Sequence, residues 1–255
     1  MVHYFDMTGK VAVITGGSRG IGHGYTMALA RHGAEVAILA TKMETLLSTK
    51  EEVETQFGKK CMAVQCDLTD EIAIRSAVQQ IYKEFGHIDI LVNNAGIAVW
   101  EHTLEHSTEN MDKIFAVDLR AALILCREVG AIMAKQHSGR IINISSISGQ
   151  LGDEYQVSYD AAKGGVTNMT RGLARDLGPY GITVNCIGPG LYPGPIYTPN
   201  PDPDCYPMYR RTKIVLGRTG IEGDMDGMLL YLASDYATYT TGQYLIVDGG
   251  LTAAK

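Results

Sequence analysis

The sequence predicts a doubly wound α/β fold, a parallel sheet of about seven strands covered by helices on both faces. Three observations predict it. Short, β-rich apolar runs alternate along the chain with longer stretches whose apolar residues keep a helical period. The first such run passes at once into a glycine turn, Gly-Gly-Ser-Arg-Gly-Ile-Gly, of the kind that leads from a strand into a helix. A later run ends in Asn93-Asn94-Ala95-Gly96, at what would be the carboxyl edge of the sheet, where such sheets bind ligands. With 255 residues the chain suffices for one domain of this type, residues 1–255, with a sizeable core.

Residues 10–15 (KVAVIT) form the first expected strand, and Gly16, Gly20 and Gly22 follow it. Glycine lets the backbone approach a pyrophosphate closely, and the helix that follows turns its free N–H groups and positive dipole end towards the anion. In that helix Ile21, Tyr25, Ala28 and Leu29 keep the period until Gly33. Residues 35–40 (EVAILA) form the second strand, whose end meets the adenosine ribose in a dinucleotide-binding, Rossmann-type fold. An acidic residue there would select NAD; the chain has Ala40, Thr41 and Lys42 instead, and Lys42 with Arg19 can pair with a 2′-phosphate. NADP(H) is therefore the expected cofactor, with NAD(H) as the alternative.

Residues 60–65 form a third strand, followed by Cys66 and Asp67, and Asp70 is placed to cap a helix carrying Ile74, Ala77, Val78, Ile81, Tyr82 and Phe85. Residues 88–92 form the fourth strand. Helices are expected over 111–116 and about 118–136. Residues 140–144 form the strand that delivers Ser146, and 155–177 the helix that carries Tyr159 and Lys163. Ala161, Ala162, Gly164 and Gly165 leave that helix thin on one side and permit close packing. Strands over 182–187 and 243–247 complete the sheet. Between them, seven of the eight prolines fall from Pro189 to Pro207, so the segment at about 191–215 reads as a substrate lid.

Composition narrows the partners. Hydrophobic residues make up 45% and charged residues 20%, with a formal net charge of −6, which offers no general attraction for nucleic acid or an anionic membrane. No apolar run approaches the roughly 20 residues of a membrane span, and MVHYFDMTGK lacks a signal-peptide pattern, so the cytoplasm is the expected compartment. The five cysteines contain no CxxC and are expected to be reduced. His102 and His106 stand four apart, but with no third ligand or HExxH pattern they read as surface or pocket-rim residues, and no metal is expected. A small-molecule substrate remains.

The chemistry concentrates in NISSISGQLGDEYQVSYDAAK. Tyr159 and Lys163, four apart, share a helix face, and a neighbouring ammonium lowers the pKa of a phenol towards a value usable in acid/base work. Ser146, at the end of an apolar run, can donate a hydrogen bond to the same substrate oxygen.

In order along the chain, TGGSRGIG, Asp67, NNAG, Ser146, YDAAK, PG and VDGG resemble the short-chain dehydrogenase/reductase family, from Lys10 to Gly250. The resemblance implies a nicotinamide cofactor, with Tyr159 as proton donor to the carbonyl that receives the hydride. Lys163 would bind the nicotinamide ribose and depress the Tyr159 pKa, Ser146 would position the oxygen, Asp67 would touch the adenine, and Asn94 would hold the sheet edge. It extends the expected cofactor contacts to Gly16, Ser18, Arg19, Gly20, Ile21, Gly22, Thr41, Lys42, Asp67, Leu68, Asn94, Ala95, Gly96, Tyr159, Lys163, Pro189, Gly190 and Thr198. It also implies a homotetramer built through the helices over 118–136 and 155–177.

Two departures stand out: Asp118 replaces the family's relay asparagine, and Leu191-Tyr192-Pro193-Gly194 lengthens the lid. Asp118 has two readings, as a carboxylate beside Lys163 that offsets its pull on Tyr159, or as a helix-start cap. The expected activity is hydride transfer between NADP(H) and a small polar alcohol or ketone, a polyol or sugar derivative. Gln150, Asp153, Glu154, Gln156, Trp100 and Glu101 suggest the polarity. The competing readings are a 3-oxoacyl thioester reductase and a catalytically silent binding member.

Overall fold

The structure, a computed structural model, describes residues 5–192 and 213–253. Its centre is a seven-stranded, all-parallel sheet in the order β3-β2-β1-β4-β5-β6-β7. The strands are β1 (Val11–Thr15), β2 (Glu35–Ala40), β3 (Cys61–Gln65), β4 (Ile90–Asn93), β5 (Gly139–Ile144), β6 (Ile182–Pro189) and β7 (Tyr244–Val247). The chain winds outwards in one direction from β1 to β3 and in the other from β4 to β7. The switch between β1 and β4 opens a crevice at the carboxyl edge.

Side-chain alternation divides the core into two. Ala12, Ile14, Val36, Ile38, Ile142 and Ile144 pack on one face, against Tyr25 and Leu29 of helix α1 (Gly20–Arg31) and Leu229 of helix α7 (Asp226–Ala233). Their neighbours Val13, Ala37, Leu39, Ile141 and Val184 face the other way, onto Ile74, Val78 and Ile81 of α3 (Glu71–Phe85) and Leu125 and Val129 of α5 (Ala121–Gln136). Both faces of the central strands are buried and mostly apolar, which is the pattern of a sheet covered on two sides.

The expected elements are present with small shifts at their ends. Asp70 caps α3 as its position predicts, its side chain accepting from the Ile72 N–H at 2.8 Å. Helices α2 (Met43–Phe57) and α7 lie outside the expected set. The chief difference is at Asp118. Where two helices were expected, α4 (Thr108–Ile114) runs into α5 without a break, through one wide π turn at Phe115–Arg120. Asp118 is therefore no helix-start cap; the π turn directs it inwards, to the 21-residue helix α6 (Val157–Leu177). Gly165 of α6 receives the Leu119 side chain from this turn, so the thin side of α6 is used within the subunit.

Candidate active site

A cleft of about 950 Å³ lies at the carboxyl edge, and every expected cofactor residue except Thr198 lines it, as does Ser146. Thr198 and most of the expected lid lie outside the described residues. Asp118 does not line the cleft; it sits behind Lys163.

The phosphate end is built from backbone. Gly16 has φ +63°, a conformation other residues resist, and a Cβ on Gly22 would run into the Gly16 carbonyl oxygen. Thr26 holds the turn by donating to the Gly17 and Gly22 carbonyls at 2.9 and 3.0 Å. Helix α1 then starts with no side-chain cap at Arg19 and no acidic residue in its first turn, so its leading N–H groups are left for an anion. The cradle fits the pyrophosphate of a dinucleotide. Asn94 ties the ends of β1 and β4 together, its backbone N–H donating to Thr15 Oγ1 and its amide to the Thr15 carbonyl, both at 3.0 Å. Arg19, Thr41 and Lys42 are exposed on the adenosine side. Asp67 accepts from the Thr69 N–H and hydroxyl at 2.9 and 2.8 Å, which hold its carboxyl below the usual range.

The inner end is built from buried side chains. Ser146, Tyr159, Lys163 and Asp118 are 5%, 7%, 3% and 2% exposed, so their charges interact with little screening by water. Ser146 Oγ accepts from the Ser148 N–H at 3.2 Å, beside Tyr159 in the lining of the cleft. The Lys163 ammonium donates to the Ile144 carbonyl at 3.2 Å and lies 5.5 Å from the centre of the Tyr159 ring. It also forms an ion pair with Asp118 Oδ2 at 3.1 Å, while Asp118 Oδ1 accepts from the Ile97 N–H at 2.9 Å. Burial pushes the Asp118 carboxyl up and the ammonium pulls it down, with burial the larger effect.

This arrangement corrects the expectation for Tyr159. The phenol lies above its ordinary value, first through burial and then through the Asp118 carboxylate, with only the Ser146 side chain pulling it clearly down. The pull expected from Lys163 is offset because the ammonium is paired with Asp118.

A polar network beneath the site was not legible from spacing. Ser145 donates to the Lys163 carbonyl at 2.9 Å, pinning α6 to the end of β5. Asn93 donates to Asn143 Oδ1, and Asn143 to Thr170 Oγ1, each at 2.9 Å, joining β4, β5 and α6. Isolated Asn, Ser and Thr in apolar strands are the only sequence trace of such a network.

The substrate side also differs from expectation. His106 is not a rim residue: its side chain is 6% exposed, held between Glu101 Oε2 at 3.2 Å and Ser158 Oγ at 2.9 Å, whereas His102 is exposed. Glu101 further accepts from the Ser107 N–H at 3.2 Å and Asn110 Nδ2 at 2.7 Å, so its carboxylate organises the loop from within. Gln156 is buried, while Gln150 and Glu154 remain exposed.

Residues 16–252 match the family described as enoyl-(acyl carrier protein) reductase. The chain is 34% identical over 273 residues to cyclohexanol dehydrogenase from Rhodococcus sp. (strain TK6), covering 99% of each. It is 36% identical over 248 residues to the 3-oxoacyl-[acyl-carrier-protein] reductase of Thermotoga maritima, covering 96% of this chain and 98% of that one. It is 34% identical over 247 residues to L-rhamnose 1-dehydrogenase (NAD(P)(+)) of Sphingomonas sp. (strain SKA58), covering 96% and 97%. A short-chain type dehydrogenase/reductase from Mycobacterium marinum superposes with a TM-score of 0.94 at 33% identity, over 98% of each chain.

Proposed function

The chain belongs to the short-chain dehydrogenase/reductase family, and from that premise we propose that it transfers hydride between NADP(H) and a small polar alcohol or ketone, a polyol or sugar derivative. As a family member it is an oxidoreductase acting on a CH–OH group. The observation that carries the proposed mechanism is the convergence of Ser146, Tyr159 and Lys163 at the inner end of a cleft whose other end is an anion cradle.

A nicotinamide dinucleotide bound there would supply or accept the hydride. Gly16 to Gly22 and the start of α1 hold its phosphates, Asp67 and Leu68 flank the adenine, and Asn94, Ala95, Gly96, Pro189 and Gly190 form the walls. Arg19 and Lys42 favour a 2′-phosphate, since both are exposed cations on the adenosine side and no carboxylate follows β2. Ser146 donates to the substrate oxygen. Tyr159 gives that oxygen a proton in reduction and takes it back in oxidation; the raised phenol pKa keeps it protonated at neutral pH and suits the donating role. Lys163 holds the ribose and steadies charge on the phenol, and Asp118 sets how strongly. Exposed Gln150 and Glu154, on the segment between Ser146 and Tyr159, support a polar substrate.

A second reading is 3-oxoacyl thioester reduction. It is favoured by the resemblance to the Thermotoga maritima reductase and by exposed Leu151, Tyr155 and Val157 on the same segment, which offer apolar surface to an acyl chain. On either reading the protein works in the cytoplasm on a small-molecule substrate; no helix among the described residues is long and apolar enough to cross a membrane. A homotetramer through α5 and α6 accompanies the proposal, supported by exposed Leu123 on α5. Polyols, ketoses and acetoacetyl thioester, each with NADP(H) and NAD(H) and followed by nicotinamide absorbance, test it. Highest kcat/KM on a polyol or ketose with NADP(H) is expected; preference for the thioester establishes the second reading, and no turnover on any refutes both.

A further inference from the structure

Tyr244, at the start of the edge strand β7, lies outside the lining of the cleft. Its side chain nevertheless reaches the inner end. From β7 the ring passes over β6, and its hydroxyl donates to the backbone carbonyl of Ser146 at the end of β5. This crossing depends on one residue of β6. A Cβ on Gly188 would stand 2.5 Å from Tyr244 Cε2 and 2.7 Å from its hydroxyl oxygen, so any side chain there excludes the ring from this path. Gly188 and Tyr244 are thus a matched pair, an empty position in the middle strand and a long polar reach from the outer one.

The carbonyl they serve is the pivot of the serine. It also accepts from the Gly149 N–H at 2.8 Å, which closes the single turn Ile147–Gly149, and within that turn the Ser148 N–H donates to Ser146 Oγ at 3.2 Å. The peptide plane after Ser146 therefore has two donors on its oxygen, and the direction of the Ser146 hydroxyl follows from how that plane is held. Tyr244 is suited to hold it at every working pH. Burial, together with the nearby Cys186, Asp248 and Tyr159, raises its phenol, so it remains a donor.

We propose that Tyr244, admitted by Gly188, is a positioning residue that fixes the Ser146 peptide and so aims the Ser146 hydroxyl at the substrate oxygen. The proposal rests on the role given to Ser146 above and adds a residue two strands away. Tyr244 stands outside the lining of the cleft and acts through Ser146.

The test is a cycle of Tyr244→Phe, Ser146→Ala and the double variant, assayed with the best substrate of the panel. Tyr244→Phe keeps the ring and removes one hydrogen bond, so kcat should fall about threefold to tenfold, the range that a neutral hydrogen bond spans, with cofactor KM unchanged. In the Ser146→Ala background the same substitution should change kcat by less than about twofold, since no hydroxyl remains to be aimed. A role in fold stability alone would multiply through both backgrounds. Gly188→Ala, which displaces the ring, should lower kcat at least as far as Tyr244→Phe. Wild-type kcat in Tyr244→Phe or in Gly188→Ala, or full multiplication with Ser146→Ala, overturns the proposal while leaving Ser146 in place. Wild-type activity in Ser146→Ala overturns the role of Ser146, and this inference with it.

Discussion

The two ends of the cleft are made of different materials. The outer end is largely backbone: a glycine turn, an uncapped helix start and strand termini, with exposed Arg19, Lys42 and Asp67 among its charged side chains. The inner end is side chain: a phenol, an ammonium and a carboxylate, all buried, with the carboxylate paired to the ammonium and raising the phenol. In the open region charge can be exchanged cheaply, because water screens what is added or removed. In the buried region charge is conserved as a set. Lys163 and Asp118 together are nearly neutral, and losing one strands the other.

The sharpest test of that contrast is at Tyr159. Tyr159→Phe removes the proton-carrying oxygen from the buried end without touching the cradle, so kcat should fall by about 10²–10⁴ while cofactor Kd, measured by fluorescence titration, stays near wild type. Substantial retained kcat would mean that another group carries the proton.

Lys163→Met should weaken both turnover and cofactor binding. It also leaves Asp118 buried beside an apolar chain, which should cost about 3–5 kcal/mol of stability in chemical denaturation. Adding Asp118→Asn should restore much of the stability but not the activity. If Lys163→Met unfolds at the wild-type midpoint, the buried pair is not the coupled set described here.

At the open end, Arg19→Ala and Lys42→Ala together should lower kcat/KM for NADP(H) by about tenfold, leave that for NAD(H) unchanged, and barely move the melting temperature. Equal losses with both cofactors would show that these cations do not read a 2′-phosphate.

For turnover the gentlest change is Asp118→Asn, although it too strands its buried partner, Lys163, and should lower stability as Lys163→Met does. It retains the side chain's shape and removes its charge. Since the carboxylate raises the Tyr159 pKa, removing it lowers that pKa. Oxidation needs the phenolate, so the acidic limb of its pH profile should move to lower pH with activity retained. An unmoved limb would separate Asp118 from the phenol electrostatically, whatever their proximity.

The order and type of most elements followed from the sequence by itself, because strands and helices announce themselves through local period and through glycine and proline. The cradle was legible for the same reason: Gly16 and Gly22 are needed by local backbone geometry, which short spacing records. That Ser146, Tyr159 and Lys163 come together in one cleft was legible through their spacing and their company along the chain.

What spacing could not carry was contact across strands and between helices. That Asp118 meets Lys163 rather than capping a helix was decided by the π turn, where α4 joins α5 and the side chain swings towards α6. That Tyr159 ends above rather than below its ordinary value was decided by burial, a property of the packed interior and not of the residue. His106 became an internal strut between Glu101 and Ser158, 52 residues away, and Tyr244 found Ser146 across 98 residues because Gly188 left room. A local pattern determines which groups are present; only the closing of the sheet and its helices decides which charges and donors share a dry space, and therefore how each one behaves.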